Sequence, residues 1–286
     1  MGIPVPAWEA ASGRTLAEVI GLAPGPGDVA CQWQLGRVEA VADVEAAGWH
    51  VAEKIMEFRC AGATSTYEAW RRRATGGAPL SGPERVSLAA FVKTGFGLPG
   101  APQPADHIQG YVAEFIWFLL VRESPGDGRS VAHVEPPKSH VTAPGADALV
   151  IYRMNGAVLV FRLWEIKKHA GSAHLSKTIG RAFTQLSRNG IEYLAQLVPA
   201  APRDDPEVAQ LYGQFVDLWR DADERAGVGV AVSTSVQHAP RRRAFSTMQT
   251  QFPRLNREGQ LEGLVAAIAD FPQFAEDVRG FVWSAL

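Results

Sequence analysis

Cysteine is nearly absent: Cys31 and Cys60 are the only two in 286 residues. They fit neither a metal-ligand spacing nor a disulfide framework, which suits a reducing cytoplasm. Neither sign of charge is in excess. A formal net charge of −2, from 28 basic and 30 acidic side chains, advertises no polyanion partner, so any nucleic-acid surface has to be local. No apolar run approaches the roughly 20 residues that cross a bilayer, so no membrane association is expected. The opening MGIPVPAWEAASG lacks the charged start and apolar middle of a signal peptide, and Pro6 stands where a myristoylation signal needs Ser or Thr. Internal repeats, low-complexity tracts, Gly-rich phosphate loops, nucleophile elbows and zinc signatures are also missing. What is present is 47% hydrophobic residues, enough to bury a sizeable core.

The chain is organised around Pro144 to His169, PGADALVIYRMNGAVLVFRLWEIKKH. Two apolar runs, Ala148 to Tyr152 and Val158 to Trp164, are too short and too β-branched for helices, and Asn155-Gly156 between them is a strong hairpin signal. Asp147 opens the first strand and Glu165-Ile166-Lys167 closes the second. Charged groups are costly at the end of so apolar a hairpin, so a structural role alone explains them poorly. Residues i and i+2 of a strand point the same way, which puts Glu165 and Lys167 on one face. A two-residue loop would put Asp147 on the other face. A three-residue loop, Met154-Asn155-Gly156, pairs Arg153 with Ala157 and Asp147 with Leu163, gathering all three charged groups at one end of an apolar surface. The three-residue loop is therefore expected.

Before the hairpin, Leu16 to Leu22, Glu39 to Phe58, Thr66 to Arg73 and Pro83 to Thr94 read as helices, and residues 1–100 as a mainly helical module with no chemistry of its own. Arg71-Arg72-Arg73 reads as a solvated helix end, where cations suit the dipole. Asp106 is expected to cap a helix running to about Arg122, apolar nearly all round, with Glu114 in its middle. Ser130 to Glu135 reads as a strand. After the hairpin, His174 to Val198 is an amphipathic helix with a possible kink at Asn189-Gly190, Asp204 to Arg225 an acidic covering helix, and Val228 to Thr234 a buried strand. Glu258 to the C-terminus reads as one or two helices broken near Pro272. Lys168, Lys177, Arg181, Gln185 and Arg188 form a local basic and polar surface beside the carboxylates. His169 and His174 read as surface histidines, and for Arg241-Arg242-Arg243 phosphate contact and solvation are equally open.

With Glu114 on a helix, then a strand, a strand from Asp147, a strand ending in Glu165-x-Lys167, a helix and a strand, residues 106–236 resemble the PD-(D/E)xK nuclease superfamily. The resemblance implies an α/β fold with a restriction-endonuclease-like αβββαβ core in residues 101–286. Asp147 matches that family's metal-binding aspartate, Glu165-Ile166-Lys167 its (D/E)xK tripeptide, and Glu114 an acidic residue many members carry on the preceding helix. The Pro-Asp dipeptide is loosened here to Pro144-Gly145-Ala146-Asp147. The helical N-terminal module and the chain length also look like the nuclease subunit of a helicase-partnered anti-phage system of the Hachiman type.

The chemistry asks for the same groups. Mg²⁺ or Mn²⁺ prefers one or two carboxylates plus water and phosphate oxygens. Asp147 and Glu165 would supply these, the Ile166 carbonyl a further ligand, and Glu114 support for a second ion. Lys167 would orient the attacking water or stabilise developing charge. What the resemblance implies, and this chemistry suits, is metal-dependent hydrolysis of DNA in antiviral defence. Two alternatives stand beside it: a nuclease-like module that binds DNA or a protein without cutting, and an α/β protein whose charged hairpin end is an ordinary surface ion-pair cluster.

Overall fold

The computed structural model describes residues 6–26, 31–126, 128–137, 148–171, 174–240 and 243–286. The N-terminal part holds α1 (Ala7–Ala11), α2 (Leu16–Val19), β1 (Ala23–Pro24), β2 (Gln32–Val38), α3 (Val41–Arg59), α4 (Thr64–Ala74) and α5 (Gly82–Phe96). A two-stranded ribbon, β3 (Gly97–Leu98) with β4 (Ala101–Pro102), leads to α6 (Ala105–Glu123), β5 (Arg129–Val134), β6 (Ala148–Met154), β7 (Val158–His169) and α7 (Leu175–Leu197). The remainder is α8 (Pro206–Tyr212), α9 (Phe215–Asp221), β8 (Ala226–Ser235), α10 (Met248–Gln251), β9 (Leu261–Ile268) and α11 (Phe271–Trp283).

Seven strands form one mixed sheet in the order β1-β2-β9-β8-β7-β6-β5. β5, β6 and β7 are an antiparallel meander, whereas β7, β8, β9 and β2 run parallel and β1 closes the far edge antiparallel. All ten residues of β8 are buried, as a strand with parallel neighbours on both sides and helices on both faces must be. One core, built from α3, α6 and α11, packs against Val150, Tyr152, Trp164 and Ile166; the other, built from α7, α8 and α9, packs against Leu149, Ile151, Phe161 and Leu163.

Most expected helices form, and their ends have physical causes. Ser81 and Glu84 make a reciprocal capping box at the start of α5, with a proline in its first turn. Arg71 and Arg72 end α4 paired with Glu53 and Glu84, at 2.6 and 2.9 Å, so the basic triplet is a solvated helix end as expected. Asp106 does not cap α6: Pro104 holds the cap position, and the Asp106 carboxylate instead receives Lys168. α7 runs unbroken through Asn189-Gly190. Gly190 is there because the Trp219 ring lies against it, 2.4 Å from where a Cβ would sit. Gly190→Leu is expected to push α9 off α7 and cost roughly 1–3 kcal/mol of stability, read by denaturant melts.

Three expectations about the C-terminal half also fail. The acidic segment after α7 is two short helices, and Val208, Leu211, Tyr212, Phe215 and Leu218 belong to the core, so it is more than a solvated cover. Residues 261–268 are a central strand, because burial between β2 and β8 overrides the helix propensity of a Leu- and Ala-rich run. Pro272 starts α11 rather than breaking it: Asp270 accepts from Gln273 N at 3.2 Å and the proline occupies the first turn. The N-terminal hundred residues are helical in the main, yet β2 pairs along its whole length with β9 and so belongs to the sheet.

The hairpin loop has three residues, but they are Asn155-Gly156-Ala157, not Met154-Asn155-Gly156. Met154 pairs with Val158 and Leu163 with Leu149. The reason is local. Asn155 and Gly156 both take positive φ (47° and 74°), Ala157 N closes the turn onto Met154 O at 2.9 Å, and Ala157 becomes the extra residue. Asn155 N is pinned to Gly128 O at 2.7 Å. The correction moves the partner of each β6 residue two places along β7, so the odd-numbered residues of β6 and β7 still share a face.

Candidate active site on strand β7

Contacts on either side fix which way each β7 side chain points. His169 Nδ1 lies 2.8 Å from Thr178 Oγ1 on α7, whereas Lys168 Nζ donates to the Asp106 main-chain oxygen on α6 at 3.0 Å. Odd-numbered residues therefore face α7 and even-numbered ones face α6. Glu165 and Lys167 share the α7 side with Leu163 and Phe161, while Ile166 joins the α6 core. On β8 their parallel neighbours are Val230 and Val232, both buried.

Glu165 is completely buried, and Lys167 is ion-paired to its Oε1 while keeping 32% of its own side chain exposed. Burying a lone carboxylate among valines and leucines would cost several kcal/mol, so a cation reaching in from the rim is what makes this position tolerable. The lysine thus lies between solvent and carboxylate, where a phosphate approaching from outside would meet the ammonium first.

His169 completes the row. It is 4% exposed, its backbone oxygen accepts from Thr234 Oγ1 at 2.9 Å, and the His238 ring packs edge-on against it at 5.2 Å. The surface reading of His169 is therefore corrected: two-residue periodicity carries it inward on the same face as Glu165 and Lys167, and that periodicity was the signal available. His174 is exposed at the start of α7.

Asp147 lies outside the described residues. Glu114 is half-buried on α6, which covers the sheet face opposite the Glu165 side chain. It sits within electrostatic reach of Tyr111, whose phenol is pushed up chiefly by burial, with Arg59 opposing and Glu114 adding to the rise. Lys168 turns to the α6 side and is held by Asp106, so strand alternation removes it from the basic surface near Glu165. Lys177, Arg181, Gln185 and Arg188 do gather, lining an open groove along the outer face of α7. Arg241 and Arg242 lie outside the described residues.

As ligands for a hard divalent cation, the Glu165 carboxylate and Ile166 carbonyl are chemically suitable oxygen donors. Among the described residues no three His, Cys, Asp or Glu side chains group closely enough to hold a metal ion. Among the described residues, too, no helix is long and apolar enough to cross a membrane.

No protein-family model matches this chain, and no curated protein is significantly similar to it. Its chemistry has to be argued from the site itself.

Proposed function

We propose that the chain is a metal-dependent deoxyribonuclease of the PD-(D/E)xK type, cutting phosphodiester bonds at the end of β7. The observation that carries the reading is the fully buried Glu165 paired with Lys167, two residues apart on the third strand of an antiparallel meander. The element order supports it: α6, the meander β5-β6-β7, the crossover helix α7 and the parallel strand β8 follow one another as an αβββαβ unit does.

Asp147, Glu165 and the Ile166 carbonyl would hold a magnesium or manganese ion, and Glu114, on the helix that covers the other face of the sheet, is left out of the ligand set. When bound, such an ion supplies Lewis-acid polarisation of the phosphate and a water of lowered pKa. Glu165 fixes one edge of that ligand set, because burial leaves its carboxylate little freedom to move. Lys167 neutralises charge at the mouth of the site and would hold the attacking water or the non-bridging phosphate oxygen by a charge-assisted hydrogen bond. The place of such an enzyme in antiviral defence beside a helicase subunit is part of the same proposal and rests on the resemblance in layout.

The purified chain is expected to degrade labelled DNA with Mg²⁺ or Mn²⁺ and to stop in EDTA. Lys167→Ala should lower the rate on the order of 100-fold and also lower the melting temperature, because it leaves the buried Glu165 without its cation, so the rates are compared at a temperature where both proteins are folded. A binding module that does not cut predicts no metal-dependent cleavage by either protein; Lys167→Ala cutting at the wild-type rate would remove the lysine from the mechanism.

A further inference from the structure

The outer face of α7 carries a stripe of polar side chains at helical spacing: Lys177, Arg181, Thr184, Gln185 and Arg188. The α10 segment, with Thr247 and Gln251, walls the other side and leaves a groove of about 960 Å³. Among the described residues no carboxylate lines it; the single acid of α7, Glu192, is not among its walls. Lys177, Arg181 and Arg188 make no ion pair among the described residues, unlike the arginines that end α4. Three uncompensated cations on one line form a surface that lowers its energy by taking up a linear polyanion.

Two features narrow the polyanion. The cations rise along one helix only, about 16 Å from the first to the last at 1.5 Å per residue, so they track one backbone rather than straddling two. Tyr193 stands in the same groove with its hydroxyl accepting from Asn189 Nδ2 at 3.0 Å and Gln185 Nε2 at 3.4 Å, which holds its ring in place as a stacking platform. The groove also begins at the N-terminal turn of α7, where Thr178 meets His169 in the row that contains Glu165 and Lys167.

We infer that the α7 groove binds a single strand of nucleic acid, phosphates on Lys177, Arg181 and Arg188 and a base on Tyr193, and leads it toward the end of β7. This deepens the nuclease reading by naming the form of the polymer, and depends on it only for what happens at the end of the track.

Fluorescence anisotropy of the full chain in EDTA, with labelled oligo(dT), oligo(U) and a duplex of equal length, tests it without cleavage. One or both single strands should bind more tightly than the duplex, the better one identifying the sugar. Three phosphate contacts at about 0.7 each give a salt slope near −2, so a fourfold rise in salt should weaken binding about 16-fold. Arg181→Ala should flatten that slope by about 0.7, and Tyr193→Ala should weaken binding about tenfold at unchanged slope. The exposed triple variant Lys177→Glu/Arg181→Glu/Arg188→Glu should not bind, while melting like the wild type. Absence of salt-dependent binding, preference for duplex, or a folded triple variant that binds normally would overturn the inference. Groove binding in a chain that cuts nothing would count against the nuclease reading alone.

Discussion

Glu165→Gln is expected to abolish metal-dependent cleavage, lowering the rate on the order of 10³-fold or more, about 4 kcal/mol in the barrier. Glutamine keeps the volume of a side chain that is wholly buried and retains an oxygen for Lys167, so the β7 strand and its neighbours Val230 and Val232 should stay in place. What disappears is one negative charge at the only point where the proposed site has a described carboxylate facing α7. A neutral amide is a poor ligand for a hard divalent cation. The check is single-turnover cleavage over a range of Mn²⁺ concentrations, beside a thermal melt of the same protein. Loss of activity with an unchanged melt assigns Glu165 to the chemistry. Equal activity would remove it from the site.

The largest expected loss of stability comes from the opposite end of the sheet. Arg162 on β7 is 2% exposed and Arg129 on β5 partly buried, and both reach the Glu262 carboxylate of β9, at 3.0 and 2.6 Å. Arg162 also donates to the Gly259 and Phe161 carbonyls, at 2.6 and 2.8 Å, and Arg129 lies over the Tyr152 ring at 5.3 Å. Burial pulls the Arg162 guanidinium down and Glu262 resists it; at Arg129 burial also pulls down, but Glu262 wins and the net shift is upward. Burial and then the Glu262 charge push the Tyr152 phenol up. One carboxylate therefore holds two arginines together. Glu262→Ala would leave two like charges facing each other away from water, at a cost of about 3–5 kcal/mol. That is roughly a 10 °C fall in melting temperature for a chain of this size. The triple variant Arg129→Leu/Arg162→Met/Glu262→Leu should recover most of the loss, because apolar side chains replace the whole ionic triad at little net cost. A triple variant as unstable as Glu262→Ala would show that the charges themselves are needed.

The parts of this architecture that could be read in advance are those where one physical rule dominates. Strand alternation alone put Glu165 and Lys167 together, and the apolar stripe of α7 and the β-branched run of β8 each admitted one reading. Where two rules competed, the reading went the other way. Leu261–Ile268 is composed of residues that favour helices in isolation, and only its position between two parallel neighbours makes it a strand. β2 follows a Pro- and Gly-rich segment and pairs with a strand more than 200 residues later, a contact no local pattern encodes. The hairpin register turned on whether Met154 or Ala157 was the extra residue, and the positive φ of Asn155 decided it. His169 reads in sequence as a surface histidine, although the alternation that places Lys167 on the α7 face places it there too.

Anomalous scattering from crystals soaked in manganese chloride tests the central claim most directly. A manganese ion bound to the carboxylates of Glu165 and Asp147 and to the Ile166 carbonyl, with Lys167 displaced from Glu165 toward the bound water, is the result expected here. A Glu165 still paired with its lysine, with no ion beside it at saturating manganese, would contradict it.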